Sequence, residues 1–418
     1  MHIYERYGRL RRYAQLILGT LSLFILGLIY AWSIFSSFLG VTKVQSSVIF
    51  STTMICLCAG CVIAARLTAR FTPRVSVWAS AAGLAIGFVG TVLATRGATP
   101  PFAVLFVFYG VIVGLGCGFG YNAIITTVNL WFPDKLGLAT GVQLLGFGLS
   151  GLVLGTAAHR ALGAFGWRAV FLAVAAVGLV VIALDAWRIK APRPDEALQL
   201  RARAQEKAQA RAAAKAARAT GTPNARAAKR ALNAQAKAQA RRASNTTLPG
   251  QRRRADLVVF YIWRTLGMAA CVTLVGSSGG SAQGLGAKAG QAALLVGLVA
   301  AANGISRVTS GLIYDHTSIR ALMGIVSVLM IAGCAAAATA CATHQVLLFC
   351  LAAIVLGYSY GTFSLCAATY ARERFPVARY PMGMAFLNTA MAFASFTSMG
   401  VVWLGAHTGG DLTVYLVF

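Results

Sequence analysis

The 418-residue chain is 58% hydrophobic and only 11% charged, holds 44 glycines and carries a net charge of +27. Soluble globular chains carry roughly 25% charged residues, so this composition, arranged in apolar runs of about twenty residues or more, excludes a water-soluble domain. Strictly alternating apolar and polar residues are absent, which excludes an outer-membrane barrel and leaves an all-α polytopic membrane protein.

Arg6, Arg9, Arg11 and Arg12 form a basic flank ahead of the first apolar run. Runs at 13–38, 46–66, 75–95, 102–130, 138–160 and 166–187 predict six membrane helices. A basic segment follows, with eighteen Lys/Arg against three Asp/Glu from Arg188 to Arg254. Runs at 256–280, 289–314, 321–342, 345–370 and 383–406 predict five more helices. A twelfth begins at Asp411, so the chain is expected to continue beyond Phe418. The expected domains are an N-terminal six-helix half (1–190), a cytoplasmic basic linker (191–255) and a C-terminal half (256–418). Cations crowd alternate loops (Arg66, Arg70, Arg74; Lys135; the linker; Arg320; Arg372, Arg374, Arg379), which places those loops and the N-terminus in the cytoplasm. The plasma (inner) membrane is the expected location.

The segment from Ala191 to Gln251 is rich in Ala, Arg, Lys and Gln and lacks an apolar stripe. It is read as a partly formed helix over 196–220, near anionic lipid heads, and as flexible chain beyond. Without interleaved aromatic residues it gives no support to nucleic-acid binding. The nine cysteines lie in apolar runs and are expected as free thiols, with Cys56, Cys58 and Cys61 read as packing residues rather than metal ligands. No cofactor or metal site is indicated. Five scattered histidines form no catalytic constellation, so the chain is not read as an enzyme.

Arg307 lies about eight residues inside its apolar run, roughly 12 Å from the polar end. An arginine keeps its proton there, and its burial costs at least about 2.5–3.5 kcal/mol unless it meets an aqueous cavity and an anion. Asn303, one turn earlier on the same face, is read as a second donor. The structural alternative pairs Arg307 with Asp315, two turns on. Arg264 is expected at the same depth in the seventh helix, where two arginines could clamp a dianion; its alternative is a contact with Asp256 or with lipid heads.

Trp131-Phe132-Pro133-Asp134-Lys135-Leu136-Gly137 between spans four and five recurs loosely as Arg374-Phe375-Pro376-Val377-Ala378-Arg379, followed by Gly383, between spans ten and eleven. The loops Ala65–Arg74 and Gly311–Arg320 also correspond. This pair, with Arg70, Arg74, Gly311, Asp315 and Arg320, resembles the signature of the major facilitators, Gly-x-x-x-Asp-Arg/Lys-x-Gly-Arg. The first copy has Ala69 for the Asp and Thr72 for the Gly; the second has an extra residue before Arg320. Tyr30-Ala31-Trp32-Ser33 and the Trp-Phe-Pro-Asp-Lys loop, with Asp134 and Lys135, resemble the oxalate/formate antiporter family.

The resemblance implies a major facilitator fold of two six-helix halves, the last helix truncated in this chain, probing small carboxylates between the halves. It implies an arginine at Arg307 and a lysine in span eleven, at the position of Thr389 beside Asn388. It also implies an aromatic pocket residue at Tyr121. Asn122, Trp32, Tyr30, Tyr358 and Tyr360 complete the expected lining. The resulting expectation is a monomeric secondary transporter of a small organic anion, by exchange or by symport with a substrate-borne proton. The alternatives are a non-transporting membrane receptor or scaffold, and a facilitator for a neutral solute.

Overall fold

The computed structural model describes residues 2–193, 195–200, 202, 204–206, 209 and 250–408, and every regular element among them is helical. Nine helices among the described residues are long and apolar enough to cross a membrane. One of them, Leu136–Arg188, is 53 residues long and consists of two spans that meet at Gly166. There φ is 75° and ψ 165°, a conformation only glycine adopts without strain. Tyr380–Thr408, at 29 residues, has span length as well.

The described residues thus provide eleven spans at the eleven expected places. They are span one (10–38), two (Lys43–Arg70), three (Pro73–Ala94), four (Phe102–Leu130), five (136–165), six (167–188), seven (Gly250–Gly284), eight (Ala289–His316), nine (Ile319–Thr343), ten (Val346–Arg374) and eleven (Tyr380–Thr408). In the basic segment, 195–200 is helical. The expected helix beyond 209 and the start of a twelfth span lie outside the described residues.

Local sequence sets the span ends. Thr42 and Gln45 form a reciprocal capping box at the start of span two, bonds of 3.3 and 3.0 Å that satisfy two otherwise orphaned N–H groups. Pro73 opens span three, where its missing N–H is no loss. Span one is interrupted by a 3-10 turn at Gly27–Ala31, which carries Tyr30, and span four contains a π-helical stretch at Leu105–Val113. Such irregular turns re-aim side chains within a membrane helix.

One apolar core fills spans one to six and continues into the basic ends of spans seven, nine, ten and eleven; a second lies within spans seven to eleven. Across the halves, spans five and eight and spans two and eleven pack closely. Trp32, expected in the site, belongs instead to the first core. Its Nε1–H donates to the Ser46 carbonyl at 2.9 Å, and its ring lies 4.4 Å from that of Tyr109, beside an edge-on cluster of Phe35, Phe88 and Phe171.

Candidate functional site

Arg307 is 1% exposed and Arg264 2%. Arg307 projects from span eight into the other half: its NH1 donates to the Leu144 carbonyl of span five at 2.6 Å, and its Nε donates to Asn303 Oδ1 at 3.3 Å. Asn303 Oδ1 thus orients the guanidinium as an acceptor, while its amide N–H groups are the donors expected from the sequence. Gly148 lies beneath the guanidinium, where an added Cβ would stand 3.3 Å from Cζ. Arg264 donates from NH1 to the Leu387 carbonyl of span eleven and from Nε to the Phe363 carbonyl at 3.4 Å. Neither arginine forms an ion pair among the described residues. Asp256, the alternative partner of Arg264, pairs with Arg374 at 3.3 Å, and Asp315 is engaged elsewhere.

The two guanidiniums share neighbours. Both act electrostatically on Tyr121 and Tyr360, and Arg307 acts on Tyr30 too. Tyr30 and Tyr360 are neighbours across the boundary between the halves. Phe147 backs the group, its ring 5.3 Å from Tyr30 and 4.9 Å from Tyr121, both edge-on. Two buried guanidiniums with phenol hydroxyls near them can bind an anion by charge and orient it by hydrogen bonds.

Other expected lining residues face elsewhere. Tyr358 bonds the Thr309 hydroxyl at 2.7 Å, and Tyr360, two residues on, takes the inward place. Thr389 turns toward span seven, 2.7 Å from the Tyr261 hydroxyl. Asn388 of span eleven meets span two: it is 5% exposed, its carbonyl accepts from Cys58 at 3.4 Å, and its Nδ2 has no partner among the described residues. Asn122 donates to the Pro381 carbonyl at 3.1 Å, a bond between the halves, and its buried Oδ1 has no partner among the described residues.

Toward the end of the bundle that carries the N-terminus, the halves are latched. The Asp315 carboxylate accepts the N–H groups of Gly137 and Leu138 at 2.8 and 3.0 Å, capping span five from across the boundary. Gly137 and Gly311 touch backbone to backbone; a Cβ on Gly311 would stand 2.7 Å from the Gly137 carbonyl carbon. Asn129, itself held by Gln143 at 3.0 Å, donates to the Tyr380 hydroxyl at 3.0 Å.

Asp134 pairs with Arg12, whose guanidinium also lies 4.0 Å over the Phe132 ring. Lys135 is the N-cap residue of span five. Arg70 packs over Phe71 and Arg74 donates to the Ile189 carbonyl at 3.2 Å, while Arg320 is exposed. Tyr360 was expected from the sequence as a wall residue beside Tyr358, whereas Tyr380 and the Leu144 carbonyl carry no sequence signal that marks them.

A family model described as Major Facilitator Superfamily matches residues 14–399. The chain is 28% identical over 189 residues, 44% of its length and 46% of the relative's, to an uncharacterised MFS-type transporter, YhjX, of Escherichia coli strain K12. It is 41% identical over 80 residues, 19% of its length and 16% of the relative's, to monocarboxylate transporter 9 of Pongo abelii. These matches span less than half the length of each curated relative. Among solved structures, the proton:xylose symporter XylE bound to 6-bromo-6-deoxy-D-glucose superposes with a TM-score of 0.71 at 16% identity, covering 98% of this chain and 93% of that one. FucP in its outward conformation gives a TM-score of 0.64 at 12% identity, covering 97% and 95%. Identities this low speak for the fold alone.

Proposed function

The chain belongs to the major facilitator superfamily and is a secondary transporter, not an enzyme; from that premise we propose that its cargo is a small organic anion, a mono- or dicarboxylate, bound between the halves and moved by alternating access. One observation supports this reading most: two arginines buried at the centre of the molecule have no carboxylate partner among the described residues. Backbone carbonyls orient them but bring no neutralising charge, and an arginine cannot discharge by losing its proton. A bound carboxylate supplies the missing charge. Arg307 is the primary anchor, Arg264 the second cation, and Tyr30, Tyr121 and Tyr360 the orienting hydroxyls. Asp185 is buried in the first half beside Ser22, with no ion pair among the described residues, and lies apart from the two arginines. Coupling therefore runs by anion exchange or with a proton carried on the substrate. With the basic loops cytoplasmic, the latched end is the inner one.

The test is counterflow of labelled mono- and dicarboxylates of matched size in proteoliposomes. Arg307→Gln is expected to weaken both by about 2–5 kcal/mol, at least 30-fold. Arg264→Gln should weaken the dicarboxylate more than the monocarboxylate, and Asn388→Lys in that background should recover part of the loss. Parent-like counterflow in Arg307→Gln would refute the reading. It would favour a facilitator of a neutral solute instead, for which the carbonyl bonds of both arginines are a sufficient structural role.

A further inference from the structure

The junction between spans two and three repeats the backbone of the junction between spans eight and nine. Phe71 and Thr317 end the leading helices at φ −119°, ψ −115° and φ −127°, ψ −124°. Thr72 and Ser318 begin the following ones at φ −138°, ψ 156° and φ −149°, ψ 160°. In this register Ala69 occupies the place of Asp315 and Arg74 that of Arg320. Asp315 reaches across to cap the start of span five; the Ala69 methyl can accept nothing. Between the first junction and the start of span eleven, at Tyr380 and Pro381, lies a cavity of about 500 Å³.

Arg74 and Lys190 line this cavity, and no carboxylate does. Arg74 uses its Nε–H on the Ile189 carbonyl at 3.2 Å, which pins it beside Lys190 and leaves both terminal nitrogens without a partner among the described residues. Thr127 also lines the cavity; it is 2% exposed and its hydroxyl has no partner among the described residues. Thr72, the N-cap residue of span three, makes no side-chain cap bond; Pro73 has no N–H and the Val75 N–H is taken by the Thr72 carbonyl at 3.2 Å, so the helix end adds its positive dipole rather than a row of free donors.

We propose that an external phosphate-type anion, a free phosphate or a phospholipid headgroup, binds this cavity and completes the first junction as Asp315 completes the second. Two cations, hydroxyls and a helix amino end suit a tetrahedral anion with acceptors on every side, and the volume exceeds what a carboxylate alone would fill. Tyr380 and Pro381 wall the cavity while the halves are latched, so the anion binds that state better and shifts the transporter toward it.

Purified full-length protein in zwitterionic detergent is titrated with inorganic phosphate at constant ionic strength, with chloride as control, and its melting midpoint is followed. Phosphate should raise the midpoint where chloride does not. Arg74→Gln and Lys190→Gln should each raise the half-saturating phosphate concentration about tenfold or more. Ala69→Asp should raise the midpoint without phosphate and abolish the response to it. Nanodiscs of phosphatidylcholine with and without phosphatidic acid separate the sources: a response to the lipid but not to free phosphate assigns the headgroup, and the converse assigns the soluble anion. Hydrogen exchange of residues 380–386 in the parent, slowed by the active anion, does not depend on any variant folding. Equal effects of chloride and phosphate, no response to either source, or a full phosphate response in Ala69→Asp would overturn the proposal.

Discussion

At the junction of spans eight and nine a carboxylate crosses between the halves, whereas at the junction of spans two and three the same turn of backbone carries an alanine. There the halves are joined nearby by neutral bonds, from Asn129 to the Tyr380 hydroxyl and from Asn122 to the Pro381 carbonyl. Charge-assisted bonds are roughly twice as strong as neutral ones. The two sides of one latch therefore differ in strength although their backbones match. The two junctions share the turn, which helix ends and N-caps specify, and differ in the chemistry placed on it.

The most severe way to break the comparison is steric. Gly311→Leu forces a side chain against the Gly137 backbone, a clash at the upper end of overpacking costs, about 3 kcal/mol. We expect the latch to open, with fast hydrogen exchange over 136–141 and loss of transport. The opposite change at the corresponding position of the other junction, Ala65→Gly, costs about 1 kcal/mol in helix propensity and about 1 kcal/mol for its buried methyl. Similar losses from both would show that the close approach at Gly311 is not special.

Asp315→Asn retains one acceptor and removes the charge. It should cost the latched state about 2 kcal/mol, in line with hydrogen bonds to charged groups. Exchange at the Gly137 and Leu138 amides should accelerate by more than tenfold while the rest of span five stays protected. Tyr380→Phe removes a neutral bond on the weaker side and should cost about 1 kcal/mol. A larger effect from Tyr380→Phe than from Asp315→Asn would reverse the ranking of the two sides.

How much of this was legible beforehand depends on the kind of signal. Span positions were, because each is an apolar run long enough to cross a bilayer, and span two, expected at 46–66, is found at Lys43–Arg70. The central arginines stood out as lone charges inside such runs. Helix faces did not. Spans four and ten are apolar or small nearly all round, so nothing marks the inward side, and adjacent or alternate residues point apart by about 100° or 200°. Tyr358 was therefore expected in the site alongside Tyr360, and Thr389 alongside Asn388, although in each pair one residue bonds a neighbouring span. Trp32 shares its tetrapeptide with Tyr30, yet at the 3-10 turn Tyr30 meets Phe147 and Tyr360 while Trp32 enters the core. The acceptor role of Asn303 depends on how a neighbouring side chain bends back, which spacing alone does not encode.

The smallest expected effect is the finest test of the comparison. Arg74 and Arg320 hold equivalent positions, both nine residues after the start of their motif. Arg320 is exposed and has no ion pair among the described residues; substitutions at such surface sites usually stay within about 0.5 kcal/mol. Arg320→Gln should accordingly leave the melting midpoint and the exchange of residues 136–141 unchanged. Arg74 is half-buried and bonds the end of span six through Ile189, so Arg74→Gln loses a hydrogen bond of about 1 kcal/mol even without any anion present. The contrast follows from what each junction already possesses. Where Asp315 closes the latch, the neighbouring arginine is spare; where the acid is missing, the arginine has taken a structural bond and a place on the cavity wall. Equal midpoints for the two variants would mean that the loss of the acid at Ala69 was never compensated by Arg74, and that the first junction is merely the looser copy of the second.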